Sequence, residues 1–347
     1  MLPFWFMFLL PAWAVLASKR LPERQRFVVW WAAGVLFALM IGLRHEVGGD
    51  WFNYLEHFKA TSYLRLSEVF GKGDPGHHFL NWLAARLGGS VYWVNLIYAT
   101  VLMWGTVVFC RRQPWPWLAL LVAVPYMLIV VGMGYSRQAV ALGFALVGLV
   151  ALGEHRIRTF VICIALGALF HKSAVLLLPI AILANSRNRF LTTGMVGVTF
   201  VLLYYLLLSE DADALWTNYI EAQMQSQGAK IRVLMNVVPA ALMLLFGKRL
   251  APDPQERRLW TLIALMALLC LPLVSLASTA VDRVALYLIP LQLFVFSRLP
   301  LLAGGNVRLR TGLVLAVIGY YAAAQFVWLN FATHSRYWVP YQFGPFV

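Results

Sequence analysis

Twelve apolar runs, separated by short loops rich in arginine and lysine, constrain the fold of this chain more than any other feature. Only 12% of its 347 residues are charged and 61% are hydrophobic, whereas roughly a quarter of a soluble domain is charged. About 20 apolar residues form a helix that crosses a bilayer, and several of these runs are shorter. The sequence predicts an all-α, polytopic integral membrane protein with about 12 transmembrane helices in a single domain, residues 1–347. The runs cover residues 2–18, 27–43, 91–109, 117–134, 139–153, 159–170, 173–185, 190–208, 233–247, 259–278, 284–297 and 311–331.

The basic residues are unevenly distributed among the loops. Short loops at 19–26, 111–112, 156–158, 187–189, 248–258 and 298–310 hold most of the lysines and arginines. The positive-inside rule assigns these loops to the cytoplasm, so that both termini and the segments at about 44–90 and 209–232 lie outside. The first of these segments carries amphipathic stretches that favour short interfacial helices. Because membrane topology accounts for most of the net charge of +14, we expect no nucleic-acid partner.

Four basic residues lie at the ends of apolar runs or in the hairpins between them on the predicted outer side, where the positive-inside rule disfavours them: Arg44, Arg137, Lys172 and Arg283. Lys172 sits between two apolar runs of about a dozen residues, and twelve helical residues rise only about 18 Å. A cation at this depth predicts a function, although a lysine that extends its head to the interface is the alternative. We expect the four cations to converge in one outer-facing cavity.

A second cluster of polar and aromatic residues follows the second apolar run. It contains Arg44, Glu46, Asp50, Trp51 and Tyr54 around a Gly-Gly pair that permits a sharp bend. The aromatic side chains could stack on a sugar or anchor at the lipid headgroups, and an Arg44–Asp50 salt bridge is the structural alternative.

Metal and redox chemistry find little support in the sequence. His77 and His78 are adjacent, so their side chains diverge on a helix, and no acidic partner has a metal-binding spacing. Cys110, Cys163 and Cys270 lie in or beside apolar runs, where cysteine usually packs as a small apolar residue. We expect no metal ion and no cofactor.

These motifs, in this order, resemble the EpsG family of bacterial exopolysaccharide synthesis, whose members are similar to Wzy polymerases. One family element, a Glu-x-Gly followed by Tyr or Phe, is replaced here by Asp74-Pro75-Gly76-His77, which is a departure. The matching motifs are Gly42-x-Arg44, Gly48-x-Asp50 with Tyr54, Arg137-Gln138, His171-Lys172-Ser173, Arg283 with Tyr287, and the terminal Pro340-Tyr341.

The resemblance implies a helical, GT-C-like fold in the bacterial inner membrane. It implies a glycosyltransferase that joins undecaprenyl-diphosphate-linked oligosaccharide repeat units into exopolysaccharide or O-antigen. Its partners would be the lipid-linked donor and acceptor glycans, membrane lipid, and a chain-length regulator and flippase of the same pathway. Because the lipid diphosphate activates the glycan, we expect no nucleotide requirement.

This chemistry needs cations at the departing diphosphate and a base for the acceptor hydroxyl. We therefore predict catalytic roles for Asp50, His171 and Arg44, with Asp50 or His171 as the base and Glu46 as a third candidate. A transporter of lipid-linked oligosaccharide, a membrane acyltransferase and a non-catalytic scaffold remain as alternatives. Predicted substrate-binding residues are Arg137, Gln138, Lys172, Ser173, Arg283, Tyr287, Tyr54, Glu46 and Trp51.

Overall fold

The computed structural model describes residues 1–17, 23–71, 73–184, 189–205 and 228–346. This part of the chain is almost entirely helical, as the apolar runs predict. Its longer helices are α1 (Leu2–Leu16), α2 (Glu23–Gly42), α3 (Trp51–Ser62), α4 (Leu66–Val69), α5 (Pro75–Arg86), α6 (Val91–Arg111), α7 (Pro116–Gly134), α8 (Ser136–Gly153), α9 (Ile157–Ala168), α10 (Lys172–Ala184), α11 (Arg189–Leu203), α12 (Ala229–Leu250), α13 (Pro254–Leu273), α14 (Ser278–Tyr287), α15 (Pro290–Arg298) and α16 (Val307–Phe331).

Five of the described helices are long and apolar enough to cross a membrane by themselves: α6, α7, α8, α12 and α16. The pair α14 and α15 qualifies as one further span, bent by 46° at the break between the two helices. The helices α1, α9, α10 and the apolar parts of α2 and α11 are shorter than a full span. The helical membrane protein is confirmed, while the total of about 12 crossings and the GT-C-like fold remain predictions.

Several sequence-based assignments fall on residues outside the described ranges. They include Lys19, Arg20 and Arg187, together with residues 209–227 of the second predicted outer segment. The first outer segment, 44–90, is described apart from residue 72, and it folds into α3, α4 and α5, of which α3 and α4 both pack on α5.

Among the described residues, the one β-sheet consists of two antiparallel strands of two residues each. Arg44–His45 (β1) pairs with Gln342–Phe343 (β2) near the C-terminus. The terminal segment is held further by the Trp338 indole N–H, which donates to the Ile129 carbonyl at 2.9 Å, and by the Tyr341 hydroxyl, which donates to the Met40 carbonyl at 2.6 Å. The C-terminal Pro-Tyr motif therefore fixes the start of the 44–90 segment.

The packing of α6 on α8 depends on two glycines. A Cβ on Gly105 would lie 2.1 Å from the carbonyl oxygen of Gly143, and a Cβ on Gly143 would lie 2.6 Å from that of Val101. Small residues of this kind let membrane helices approach closely. This contact fixes α8, the helix whose first turn carries Arg137.

Charged side chains gather at both ends of the helical bundle. At one end the Arg298 guanidinium bonds Glu256 at 2.8 Å and Gln113 at 3.1 Å, and Arg112 pairs with Glu154. These residues flank the loops that the sequence assigns to the cytoplasm. The opposite end holds the 44–90 segment and the first turn of α8, and there the structure forms a polar cavity.

Candidate functional site

A polar cavity of about 430 Å³ opens at the end of the bundle where α3 and α5 pack. Four separate parts of the chain form it, and three of its side chains are basic. We call it the cation cavity. Its lining consists of Gly73, Asp74, His78, Arg137, His171, Lys172 and Arg283.

An ion pair joins Arg137 and Asp74, which both line the cavity. The two side chains meet at 2.8 Å, and the Lys172 backbone N–H also donates to the Asp74 carboxylate at 3.3 Å. Asp74 has a left-handed backbone (φ 55°), directly before the Pro75 that starts α5. Burial raises the pKa of the Asp74 carboxyl, and Arg137 and Lys172 oppose that rise. The Arg137 side chain also interacts with the Tyr54 hydroxyl, so Asp74 and Tyr54 together position the guanidinium, which is about one third exposed.

His171 lines the cavity and begins a chain of contacts with Ser173 and Tyr287, two predicted site residues that do not line it. The Ser173 hydroxyl lies 2.6 Å from His171 Nδ1 and donates to the Tyr287 hydroxyl at 3.4 Å. His171 precedes the 3₁₀ turn that opens α10. Burial, together with Arg283, Arg137 and Lys172, lowers the pKa of His171 to about 3. Protonation of the imidazole is therefore disfavoured by burial and by the neighbouring cations.

The backbone around Arg283 is anchored by hydrogen bonds from two neighbouring helices. The Gln138 amide donates to the Arg283 carbonyl at 2.9 Å. Two residues further along α14, the Ala285 carbonyl accepts a hydrogen bond from the Asn236 amide at 3.0 Å. These bonds connect α14 to α8 and to α12, so the short half-helix cannot shift easily along its axis. Gln138 thus acts on Arg283 and does not line the cavity.

Asp50 lies at the N-terminus of α3, close to the cavity but outside its immediate lining. Within the described residues no hydrogen bond or ion pair engages its half-buried carboxylate. Burial raises the pKa of Asp50, and the nearby Arg137 and Arg283 oppose the rise. One turn further along α3, the buried Tyr54 hydroxyl accepts a hydrogen bond from the Arg137 backbone N–H at 3.3 Å.

Arg44 lies outside the cation cavity, contrary to the expected convergence of four cations. Its side chain is 1% exposed, and Nε, Nη1 and Nη2 donate to Val47 O at 2.9 Å, Ile41 O at 2.7 Å and Ser136 Oγ at 2.8 Å. Trp51 is buried beside it, with the guanidinium 5.6 Å from a Trp51 ring centroid. This arginine ties the segment after α2 to the residue that precedes Arg137.

Replacement of Arg44 by alanine is expected to destabilise the protein by about 3–5 kcal/mol, because two buried carbonyls and a buried hydroxyl lose their charged donor. Thermal unfolding of the purified protein in detergent measures this. Exposed Arg86, at the same end, supplies the control Arg86→Ala. An Arg44→Ala protein as stable as that control but unable to bind substrate would contradict the structural role.

Glu46, a predicted site residue, does not line the cation cavity. Its side chain is half exposed and lies 3.8 Å from the His45 imidazole. The three histidines of α3 and α5 form a cluster that adjoins the cavity through His78, and in it His77 contacts His57 at 3.2 Å and the Tyr98 hydroxyl at 2.7 Å. Among the residues that the structure describes, no group of three or more His, Cys, Asp or Glu has the arrangement of a metal site.

Three cavity residues were not predicted as site residues: Gly73, Asp74 and His78. Asp74 occupies the position of the acidic family element, and Asp-x-Gly keeps its carboxylate and its glycine. A Cβ on Gly76 would lie 3.0 Å from the Leu169 carbonyl oxygen, so this glycine allows α5 to approach the turn that carries His171. Because aspartate stands where the family element has glutamate, the motif did not identify Asp74 as a site residue. The shared carboxylate could have identified it.

The fold and the cavity together define a class: a multi-helix membrane protein with a cluster of arginine and lysine at one end of its bundle, suited to an anionic substrate. The family comparison narrows this class, because the EpsG family model matches residues 27–343. The chain belongs to the EpsG family, a family of Wzy-like polysaccharide polymerases. No curated protein and no solved structure matches the chain significantly.

Proposed function

We propose that this protein joins undecaprenyl-diphosphate-linked oligosaccharide repeat units into exopolysaccharide or O-antigen at the outer face of the bacterial inner membrane. The observation that carries the proposal is the meeting of Arg137, Lys172 and Arg283 in one cavity with a single carboxylate. Family membership supplies the general activity, and the cavity supplies a place for the diphosphate.

The cations stabilise the leaving group. The acceptor hydroxyl oxygen attacks the anomeric carbon of the donor glycan, and the bond from that carbon to the lipid diphosphate breaks with its electron pair on the diphosphate. Negative charge therefore grows on the leaving oxygen, where Arg137, Lys172 and Arg283 stabilise it. Arginine binds phosphate through two parallel hydrogen bonds, which also fixes the orientation of the group.

Asp74 positions Arg137. Its carboxylate is already engaged by the Arg137 side chain and by the Lys172 backbone, so it is poorly placed to accept a proton. Holding one edge of the guanidinium directs the other edge to the substrate. Asp74 also limits the net positive charge of a buried cavity before the diphosphate binds.

Asp50 accepts the proton of the acceptor hydroxyl in this proposal, with His171 as the alternative base. Asp50 is favoured because its carboxylate is not engaged by any side chain that the structure describes. The bound diphosphate offsets the field of Arg137 and Arg283, which raises the proton affinity of either base when substrate is present. Proton transfer and leaving-group stabilisation are thus coupled to occupancy of the cavity.

A chemically defined assay tests the activity. Purified protein in detergent micelles is supplied with an undecaprenyl-diphosphate-linked repeat unit, and product length is read by gel electrophoresis and mass spectrometry. We expect ladders of repeats and released undecaprenyl diphosphate without added nucleotide. A transporter would form no new glycosidic bond in micelles. Folded protein that leaves the substrate unchanged would therefore refute the polymerase assignment.

Arg283→Ala and Lys172→Ala are each expected to slow this reaction by about 10²-fold, because each removes one cation from the leaving group. The initial rate of repeat-unit consumption in the same micelle assay measures the effect. Lys59→Ala is the matched control, since Lys59 is exposed on α3 at the same end of the bundle. Rates within threefold of that control would remove the two residues from the site.

A further inference from the structure

A second, larger cavity lies beside the cation cavity and is predominantly apolar. Its volume is about 640 Å³, and it runs between α12, α16 and the π-helical part of α7 (Val124–Val131). We call it the apolar groove. Among the residues that line it are Val130, Ile231, Met235, Ala323, Val327 and Phe331.

The groove follows the membrane-facing surface of the protein. Ile231, Val327 and Phe331 are 66%, 54% and 73% exposed, on two helices long and apolar enough to span a bilayer. From Tyr320 to Phe331 it extends along about 17 Å of α16, close to half the thickness of a hydrocarbon core of about 30 Å. It occupies the half of the bundle nearest the cation cavity.

Two chain connections bring the polar end of the groove to the cation cavity. Tyr135 lines the groove and stands two residues before Arg137, which lines the cavity. Arg232 also lines the groove and forms an ion pair with Asp282, the neighbour of the cavity residue Arg283. Residues at the polar end of the apolar groove are therefore close in the chain, or paired with residues close in the chain, to residues that line the cation cavity.

A buried hydrogen-bond network joins the two walls of the groove. The Tyr321 hydroxyl of α16 donates to Gln292 at 2.8 Å, and the Gln292 amide donates to Asn236 of α12 at 2.7 Å. Asn236 in turn donates to the Ala285 carbonyl, two residues after Arg283. The spacing of the walls is thus set independently of any ligand, and it is coupled to the position of Arg283.

We propose that the apolar groove holds the polyprenyl chain of the lipid diphosphate whose headgroup lies in the cation cavity. The inference rests on the proposed function and specifies its lipid. The matching ligand is an amphiphile with a long apolar chain and an anionic head, in the order that the groove and cavity present. Because bilayer lipid is as apolar as the groove, the groove adds little affinity by burial; it orients the headgroup.

Occlusion of the groove tests this role. Ala323→Trp and Ala324→Trp place a large ring among the lining residues, and Ala316→Trp is the matched control, because Ala316 is exposed two turns earlier on the same face of α16. In lipid nanodiscs we expect kcat/KM for the undecaprenyl-linked substrate to fall roughly tenfold or more. A second substrate carries a short geranyl chain in place of the undecaprenyl chain. With the groove variants it should react within roughly twofold of its rate with the control variant. Equal losses for both substrates would overturn the inference.

Photolabelling separates the groove from the polymerase assignment. Undecaprenyl diphosphate with a diazirine on its chain should label peptides of α12 and α16, and Ala323→Trp should abolish this labelling while Ala316→Trp retains it. Labelling of other helices, or equal labelling by a diacyl phospholipid carrying the same diazirine, would overturn the groove assignment. Groove labelling without polymer formation would support the groove while refuting the proposed function.

Discussion

Arg137→Ala is expected to lower the rate of repeat-unit joining by about 10³-fold. The change removes one of the three lysine and arginine side chains that line the cavity, and it leaves the buried Asp74 carboxylate without its 2.8 Å partner. An unpaired carboxylate at this position repels the diphosphate, so binding and chemistry should both suffer. The micelle assay gives the rate, and binding of radiolabelled undecaprenyl diphosphate gives the affinity.

A double-variant cycle distinguishes these two losses. Asp74→Asn in the Arg137→Ala background removes the repulsion but not the missing cation, so it should recover part of the affinity and little of the rate. Arg86→Ala, an exposed arginine of α5, controls for loss of charge at this end of the protein. A folded Arg137→Ala protein with a rate within threefold of this control would exclude the proposed leaving-group site.

Asp50→Asn is expected to lower kcat by between about 10² and 10⁴, the range that a general base contributes. Asparagine is as favourable as aspartate at a helix N-terminus, so α3 should be retained. The rate of repeat-unit consumption at saturating substrate measures the loss. Glu56→Gln makes the same change at an exposed position of the same helix and serves as the control.

The pH dependence gives this test its sign. Burial raises the pKa of Asp50 above that of an ordinary aspartate, and a base must be deprotonated to act. Activity of the wild-type protein should therefore fall as pH decreases, beginning at a higher pH than an unperturbed carboxylate would allow. Asp50→Asn should show no such acidic limb. Retention of the limb in Asp50→Asn, together with its loss in His171→Gln, would transfer the base role to His171.

The apolar runs predicted the helices well because their length and hydrophobicity act locally. Every described run except 284–297 coincides with one helix, for example 117–134 with Pro116–Gly134 and 311–331 with Val307–Phe331, whereas 284–297 is divided between α14 and α15. The bend between α14 and α15 was not predicted. It falls just before Pro290, and proline usually disrupts a helix by removing an N–H donor.

Arg44 shows where sequence reasoning about the site stopped. A basic residue at the end of an apolar run looks the same in sequence whether its guanidinium faces a cavity or three protein acceptors. Its contact with Ser136 joins residues 92 positions apart, and no local pattern encodes that separation. Asp74 shows the converse, because its pairing with Arg137 spans 63 positions and gives it a role that its turn sequence did not reveal.

The sequence by itself determined the solvent of this protein, the positions of its helices, its family and the basic residues available for an anion. Those properties follow from composition, from periods of a few residues and from short ordered motifs. Only the tertiary structure decided which charges share a cavity. That choice depends on helix packing through close contacts such as Gly105 with Gly143, because packing across the bundle, and not distance along the chain, brings Asp74, Arg137, Lys172 and Arg283 together and leaves Arg44 enclosed nearby.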